Sequence, residues 1–341
     1  MTLHATKNAV FIIAEAGVNH NGSIEMAKRL VDAAVVAGAD AVKFQTFKTE
    51  ELVTETAEQA SYQTENTGVK ESQFAMLKRL ELSEADHDFL FAYCQQQGIE
   101  FMSTAFDSSS IHLLHQLGMQ RWKIPSGELL SIPYLRMIAA FNQYTILSTG
   151  MGRLDEVRLA VDTLLEAGLD KSKLIILHAN TAYPTPYEDV NLRAMQTLAN
   201  EFKVAVGLSD HSLGIEVPIA AVALGAQVIE KHFTLDKTLP GPDHKASLEP
   251  GELKSMVSAI RHIELALGSE DKKPSNSEKE NIAVARKRIV AKVVIRQGDV
   301  FSEQNLTLKR SDKGLEAKFW DKVMGKVAST TFQPGIGIDI E

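Results

Sequence analysis

Two histidines, His211 and His232, each follow a short apolar run, at 205–207 and 227–230. If both runs are neighbouring strands of one parallel barrel, the two imidazoles stand at the same rim of it, where such barrels build their active sites. Neutral imidazoles are common metal ligands. A pair of them leaves coordination positions open for water and substrate oxygens, which suits Lewis-acid chemistry rather than a closed structural site. Nitrogen plus oxygen ligation leaves Mn, Mg, Co, Fe and Zn all open. Other polar residues recur where strands should end. Glu15 follows the first apolar run, with Asn19, His20 and Asn21 beyond it. Lys43 and Gln45 lie on the second. Ser103 and Thr104 close the third, and Lys123, Ser126 and Glu128 follow the fourth. Ser148 and Thr149 end the fifth, His178 and Asn180 the sixth, Ser209 the seventh, and Glu230 precedes His232 on the eighth. An apolar core has no use for such a series. Two lysines with several hydroxyls and turn glycines suit a small anion carrying phosphate and carboxylate groups. Glu15 is a candidate general base or part of a metal shell. Asp243, on the rigid turn Pro240-Gly-Pro-Asp-His244, is placed to bind sugar hydroxyls.

The elements that must position these groups are readable from the pattern. Strand-like runs fall at 10–14, 41–44, 100–103, 121–124, 145–147, 174–177, 205–207 and 227–230, separated by amphipathic stretches such as 24–37, 85–97, 154–167, 215–224 and 253–267. Glycines 38, 98, 118, 168 and 225 are positioned to close helices. Eight such units predict a (β/α)8 barrel, an α/β fold. A doubly wound open sheet is the alternative, disfavoured because no Gly-x-Gly-x-x-Gly turn follows the first strand. The connection 47–83 is long and polar, with a helix-like piece at 71–80, and reads as a wall or lid over the barrel mouth. Residues 1–267 are expected to form the barrel and 268–280 a linker. Residues 281–341 are expected to form a small β-rich domain, in which 288–295, 297–299, 325–328 and 334–338 read as short strands and turns with one or two helical turns.

With 341 residues, 44% hydrophobic and 23% charged, the chain reads as globular. A net charge of -8 gives nucleic acid or an anionic membrane no overall electrostatic support as a partner. A single cysteine, Cys94, rules out an intrachain disulfide and suits a reducing cytoplasm. The polar segment 1–8 carries no apolar leader, and no run of 18 apolar residues occurs, so neither secretion nor a membrane span is expected.

The motifs Ile13-Ala-Glu-Ala-Gly-Val-Asn-His-Asn-Gly22, Val42-Lys-Phe-Gln-Thr46, Trp122-Lys-Ile-Pro-Ser-Gly-Glu128, Leu147-Ser-Thr-Gly-Met151, Tyr183-Pro-Thr-Pro186, Gly207-Leu-Ser-Asp-His211 and Glu230-Lys-His-Phe-Thr234, with the run 101–106, together resemble the sialic acid synthase family. The C-terminal region, including Leu308-Lys-Arg310, resembles an antifreeze-like (SAF, β-clip) domain. The resemblance implies metal-dependent condensation of phosphoenolpyruvate with open-chain N-acetylmannosamine, giving N-acetylneuraminate and phosphate by C–O cleavage. It implies that His211 and His232 hold a divalent metal (Mn2+, with Mg2+ or Co2+ as alternatives), and that Glu15 and Gln45 lie near the reacting carbons. Lys43, Thr104, Lys123, Ser126, Ser148 and Ser209 would bind phosphoenolpyruvate. Glu128, Asn180, Tyr183 and Asp243 would hold the acceptor, joined by Arg310 from the swapped SAF domain of a homodimer partner. The chain departs from the pattern at Ala179, where Cys is expected, and at Ser311-Asp-Lys-Gly314, where Pro-Gly-Asn-Gly is expected. Alternative acceptors are 2,4-diacetamido-2,4,6-trideoxymannose, giving legionaminic acid, and its altrose isomer, giving pseudaminic acid. A non-catalytic sugar- or ice-binding protein is a more distant reading, against which the full set Glu15, Lys43, Lys123, His211 and His232 argues.

Overall fold

The computed structural model describes residues 9–340, apart from the side chains of residues 61, 62 and 65. The segment 1–8, read above as carrying no leader, lies outside the described residues. The chain divides near Gly268 into two compact units.

The first unit contains eight parallel strands: β1 (Phe11–Gly17), β2 (Ala41–Thr46), β3 (Glu100–Ala105), β4 (Arg121–Ile124), β5 (Tyr144–Ser148), β6 (Leu174–Ala179), β7 (Ala205–Asp210) and β8 (Val228–His232). β1 pairs with both β2 and β8, and β3 packs beside β4, so the sheet closes on itself. The expected (β/α)8 barrel is the observed architecture; the β1–β8 pairing removes the open-sheet alternative. Each expected strand run seeds an observed strand, and most strands run one to three residues further at the carboxyl end, into the polar positions. Helices Ile24–Ala37 and Glu84–Gln97 close at Gly38 and Gly98 as expected.

Strand alternation sorts the barrel into layers, because residues two apart share a face. Ile13, Ala41, Met102, Ile146, Leu177 and Val228 form an apolar plug inside the barrel. A much larger cluster, including Ile12, Phe44, Trp122, Leu147, Ile176 and Ile229, packs the outer face of the sheet against the helices. Two residues beyond the plug, the inward position passes to Glu15, Lys43, Thr104, Ser148 and Glu230 in five of its six strands, and to Ala179 in β6. The apolar plug therefore fixes the floor on which the polar layer stands. Gly207 is required inside this packing: a Cβ there would lie 2.2 Å from the carbonyl oxygen of Val228 and 2.7 Å from Leu177 Cδ2.

The connection from β2 to the following barrel helix folds into three short helices, Thr49–Leu52, Ser61–Thr67 and Gln73–Leu80. Val18, Phe47, Met76, Leu77 and Leu80 give it a small core of its own. The Asn66 amide donates to the Pro242 carbonyl at 2.7 Å, tying the segment to the loop after β8. Among the described residues no helix is long and apolar enough to cross a membrane.

The second unit is built on an antiparallel pair, β9 (Lys287–Ala291) and β10 (Leu306–Arg310), over a core of Ile289, Ala291, Ile295, Phe301, Leu306, Val323, Phe332 and Ile338. The expected short strands and turns differ from the observed ones in two details. The strand expected over 288–295 stops at Ala291, because Val293 and Val294 turn outward and are about half exposed. The stretches 325–328 and 334–338 join as single bridges, Val300 to Val327 and Val290 to Gly337, rather than as strands. The segment read as a linker contains a turn at Asn276–Glu278 and runs into helix Lys279–Ala285.

Candidate active site

The polar layer above the plug is a buried cage of charges. Lys43 Nζ lies 2.7 Å from Glu15 Oε2 and 3.7 Å from Glu230 Oε2, and it donates to Thr104 Oγ1 at 3.0 Å. Lys123 Nζ lies 3.1 Å from Glu230 Oε1, which also accepts from Ser209 Oγ at 2.9 Å. All of these side chains are buried. The hydroxyl of Ser148 is buried without a hydrogen-bond partner among the described residues, and so are Glu15 Oε2 and Glu230 Oε2, apart from their ion pairs. Buried polar atoms are normally satisfied, so this cluster of exceptions marks a place built for something else to complete.

The two carboxylates are driven apart. Burial raises Glu15 to about 7, opposed by Lys43. Burial also works to raise Glu230, but Lys123 and Lys43 outweigh it and hold that group down at about 2. Burial alone would depress Lys43, yet the facing Glu15 and Glu230 raise it; at Lys123 burial prevails and lowers it. A carboxyl poised near neutrality beside a permanently ionised one is a pattern of acid–base sites.

One layer further out stand the histidines. Their ring centroids are 5.3 Å apart, and the ring of Tyr183 lies 4.1 Å from His211 and edge-on to His232 at 5.6 Å. At Gly17 the β1–β2 register shifts and φ is 52°. A Cβ there would lie 3.4 Å from His232 Cε1 and 3.5 Å from both Gln45 Nε2 and Glu15 Oε1. Glu15, Gln45 and His232 therefore converge on one point, kept clear by the missing side chain. Nδ1 of His211 donates to the carbonyl oxygen of Asn180. A carbonyl only accepts, so Nδ1 carries the hydrogen and Nε2 the lone pair. His232 Nδ1 is buried without a partner among the described residues. Burial lowers His211 to about 4 and His232 well below its ordinary value, so both rings are neutral. Two neutral, oriented imidazoles fit a pair of ligands to a divalent cation. Among the described residues no cluster of three or more His, Cys, Asp or Glu side chains is disposed to enclose an ion, so the remaining coordination would fall to water and substrate.

A cleft of about 100 Å³ opens beside this rim, lined by Gln45, Tyr183, His232, Pro242 and Asp243 together with Val18, Gln63, Met76, Leu77 and Leu80. The segment 47–83 therefore walls the site, as expected for it. Asp243 is buried, and burial raises it to about 6; no hydrogen bond or ion pair engages its carboxylate among the described residues.

Not every expected residue joins this group. Ser126 Oγ accepts from the Gly150 N–H at 3.0 Å, binding two strand-end loops together. Glu128 sits half-buried in the turn Ser126–Glu128 and engages Ser131 rather than the cage. Asn180 contributes its carbonyl to His211, while its side-chain oxygen accepts from the Ala182 N–H at 2.8 Å. His178 is satisfied by the Val190 carbonyl at 2.7 Å. Arg310 lies in the second unit, exposed at the end of β10. Glu230, to which neither the pattern nor the resemblance gives a role beyond a strand end, is the hub of the cage. Its place two residues before His232 on one strand was the available signal.

Residues 30–272 match the model of the NeuB family, and residues 286–338 match the SAF domain. This chain belongs to the NeuB family. It is an enzyme, a sugar-acid synthase of the phosphoenolpyruvate-condensing kind that the motifs imply. A relative in Campylobacter jejuni, N,N'-diacetyllegionaminic acid synthase, is 48% identical over 94% of this chain and 96% of its own length. The protein of the same name in Legionella pneumophila is 50% identical over 95% and 92%. Among solved structures, the N-acetylneuraminic acid (sialic acid) synthetase of Leptospira borgpetersenii in complex with citrate superposes with a TM-score of 0.73 at 36% identity, covering 83% of this chain and 94% of that one. Membership of the NeuB family also removes the reading of the chain as a non-catalytic sugar binder.

Proposed function

We propose that this NeuB-family enzyme condenses phosphoenolpyruvate with 2,4-diacetamido-2,4,6-trideoxymannose, releasing phosphate and a nine-carbon 2-keto acid of the legionaminic type. The observation that carries the reading is the buried Lys43–Glu15–Glu230–Lys123 cage directly beneath two neutral imidazoles. Lys43 and Lys123 bind the phosphate and carboxylate as point charges, and Thr104, Ser148 and Ser209 supply oriented hydroxyls. A divalent cation held by His211 and His232, for which Mn2+ is the proposed metal, would supply Lewis-acid polarisation of the acceptor's aldehyde oxygen. C3 of phosphoenolpyruvate forms the new bond to the aldehyde carbon, and that oxygen takes up a proton. Glu15, poised near neutrality, is the group placed to hold and deliver it. The C2–C3 π electrons form the new bond and leave C2 electron-poor; water adds there and releases a proton that restores Glu15, and the tetrahedral centre expels phosphate through C–O cleavage, the C2 hydroxyl proton leaving with the phosphate as the ketone forms. Phosphoenolpyruvate labelled with 18O in its C2–O–P bridge is expected to leave all label in the phosphate; label retained in the keto acid would contradict this step.

The acceptor choice rests on two supports. The relatives at 48% and 50% identity are named as legionaminic acid synthases. The cleft is amphipathic, its lining combining Asp243, Gln45 and Gln63 with the apolar Val18, Met76, Leu77 and Leu80. A deoxy C6 methyl or an acetamido methyl suits that wall, whereas a C6 hydroxyl would lose its hydrogen bonds there. N-acetylmannosamine, the acceptor that the motifs alone put first, is the second reading, favoured by the Leptospira neighbour. Arg310 is proposed to complete the acceptor site from the SAF domain of a second copy, making the active species a homodimer. Sedimentation is expected to return twice the 37.4 kDa chain mass, and an active monomer would contradict it.

A further inference from the structure

We propose that the buried cluster Asp210, Lys231 and Ser212 is a positioning device that sets the geometry of His211 and His232 for a divalent cation. The inference rests on the metal reading above and assigns a role to residues outside it. In the β7–β8 ladder Ser209 stands opposite Glu230, and Asp210 opposite Lys231. Alternation sends Ser209, Glu230 and His232 into the barrel, so Asp210 and Lys231 point the other way, between sheet and helices. There Lys231 is fully buried, its Nζ 2.5 Å from Asp210 Oδ2, and it also donates to the Ser212 carbonyl. Asp210 Oδ1 accepts from the Ser212 N–H at 3.0 Å and from its hydroxyl at 2.8 Å.

These bonds close a tight turn, and the residue in its middle is His211. The His211 backbone carbonyl is held in addition by the Thr185 N–H at 2.9 Å, and its ring by Asn180. Lys231 is the immediate neighbour of His232, whose carbonyl accepts from the Leu248 N–H at 2.8 Å. One ammonium group thus ties the strand carrying one imidazole to the turn carrying the other. Packing alone does not call for it: apolar residues of similar volume hold a sheet against a helix at least as well as a buried ion pair does. What an ion pair with directed bonds supplies is a fixed separation, and metal sites depend on such supporting contacts.

The test is Mn2+ binding to the full chain, followed by the electron paramagnetic resonance of free Mn2+ and accompanied by circular dichroism and by phosphoenolpyruvate binding. The variants are Lys231→Met, Asp210→Asn, and the double replacement Asp210→Leu with Lys231→Met, which leaves no unpaired buried charge. Folded variants are expected to bind phosphoenolpyruvate like the wild type while Mn2+ affinity falls roughly 10- to 100-fold. Ser212→Ala removes only a hydroxyl bond and keeps the test readable if the others do not fold; it should weaken Mn2+ roughly 3- to 10-fold. Wild-type Mn2+ affinity in a folded variant overturns the positioning role and leaves the proposed function standing. Absence of Mn2+ binding by the wild type itself overturns both.

Discussion

Replacing Lys43 by methionine is expected to lower kcat/KM for phosphoenolpyruvate by roughly 10³-fold or more. Methionine keeps most of the buried stem and removes the charge. Lys43 touches Glu15, Glu230 and Thr104 together, so three consequences combine. The anionic substrate loses a preorganised cation, worth roughly 10²- to 10³-fold by analogy with other buried electrostatic groups. Glu15 loses the cation that resists burial, so its pKa rises from about 7 and its proton is held too tightly for transfer at neutral pH. Glu230 keeps the ion pair with Lys123 and the hydrogen bond from Ser209. Breaking a buried pair also costs about 3–5 kcal/mol of stability. Steady-state kinetics and urea unfolding of one preparation measure both, and near-wild-type kcat/KM would sink the role given to the cage.

Glu15→Gln is expected to cut kcat by roughly 10²- to 10⁴-fold, the range for a lost proton-transfer group, while stabilising the fold at neutral pH. The sign follows from linkage. Glu15 is raised from 4.5 to about 7 in the folded chain. Between those values the folded chain holds a proton that the unfolded chain has released, so this group's contribution to stability declines as pH rises through the window and is fully lost above about pH 7. The shift corresponds to about 3 kcal/mol. His211, lowered to about 4, works oppositely: its contribution is present above 6.5 and lost as pH falls through 4. Glu230, held near 2, loses its contribution only below 4.5. The raw stability curve therefore mixes signs, and the informative quantity is the variant-minus-wild-type difference, which should grow from near zero at pH 4.5 to its full value by pH 8. A flat difference, or a less stable variant at pH 8, would show that Glu15 is not the strained carboxyl.

These effects trace back to features that were readable in the chain. Short apolar runs ending in polar residues announced the strands, and a polar group at one end of nearly every strand announced a site rather than a core. Two-residue alternation makes the same strands build the Ile13–Met102–Leu177 plug and the Glu15–Lys43–Glu230 layer above it. What was not legible depends on register and on loops. Glu230, Lys231 and His232 are consecutive; their alternation was legible, but the pairing with β7 is what shows Lys231 locking the strands from behind through Asp210. The bond from Asn66 to Pro242 joins residues far apart in sequence, so no local pattern could reveal how the 47–83 segment walls the cleft. In the SAF domain the valines at 293 and 294 suggested a longer strand because β propensity does not distinguish an exposed turn from a buried ladder.

The most direct test is phosphate release from phosphoenolpyruvate by the Mn2+-loaded chain, with 2,4-diacetamido-2,4,6-trideoxymannose and N-acetylmannosamine supplied separately and a chelator control for each. The account predicts chelator-sensitive release with both sugars and a kcat/KM at least tenfold higher for the diacetamido sugar. Equal or better use of N-acetylmannosamine would contradict the acceptor assignment, and no release with either sugar would contradict the reading of the Lys43–Glu15–Glu230–Lys123 cage as a condensation site.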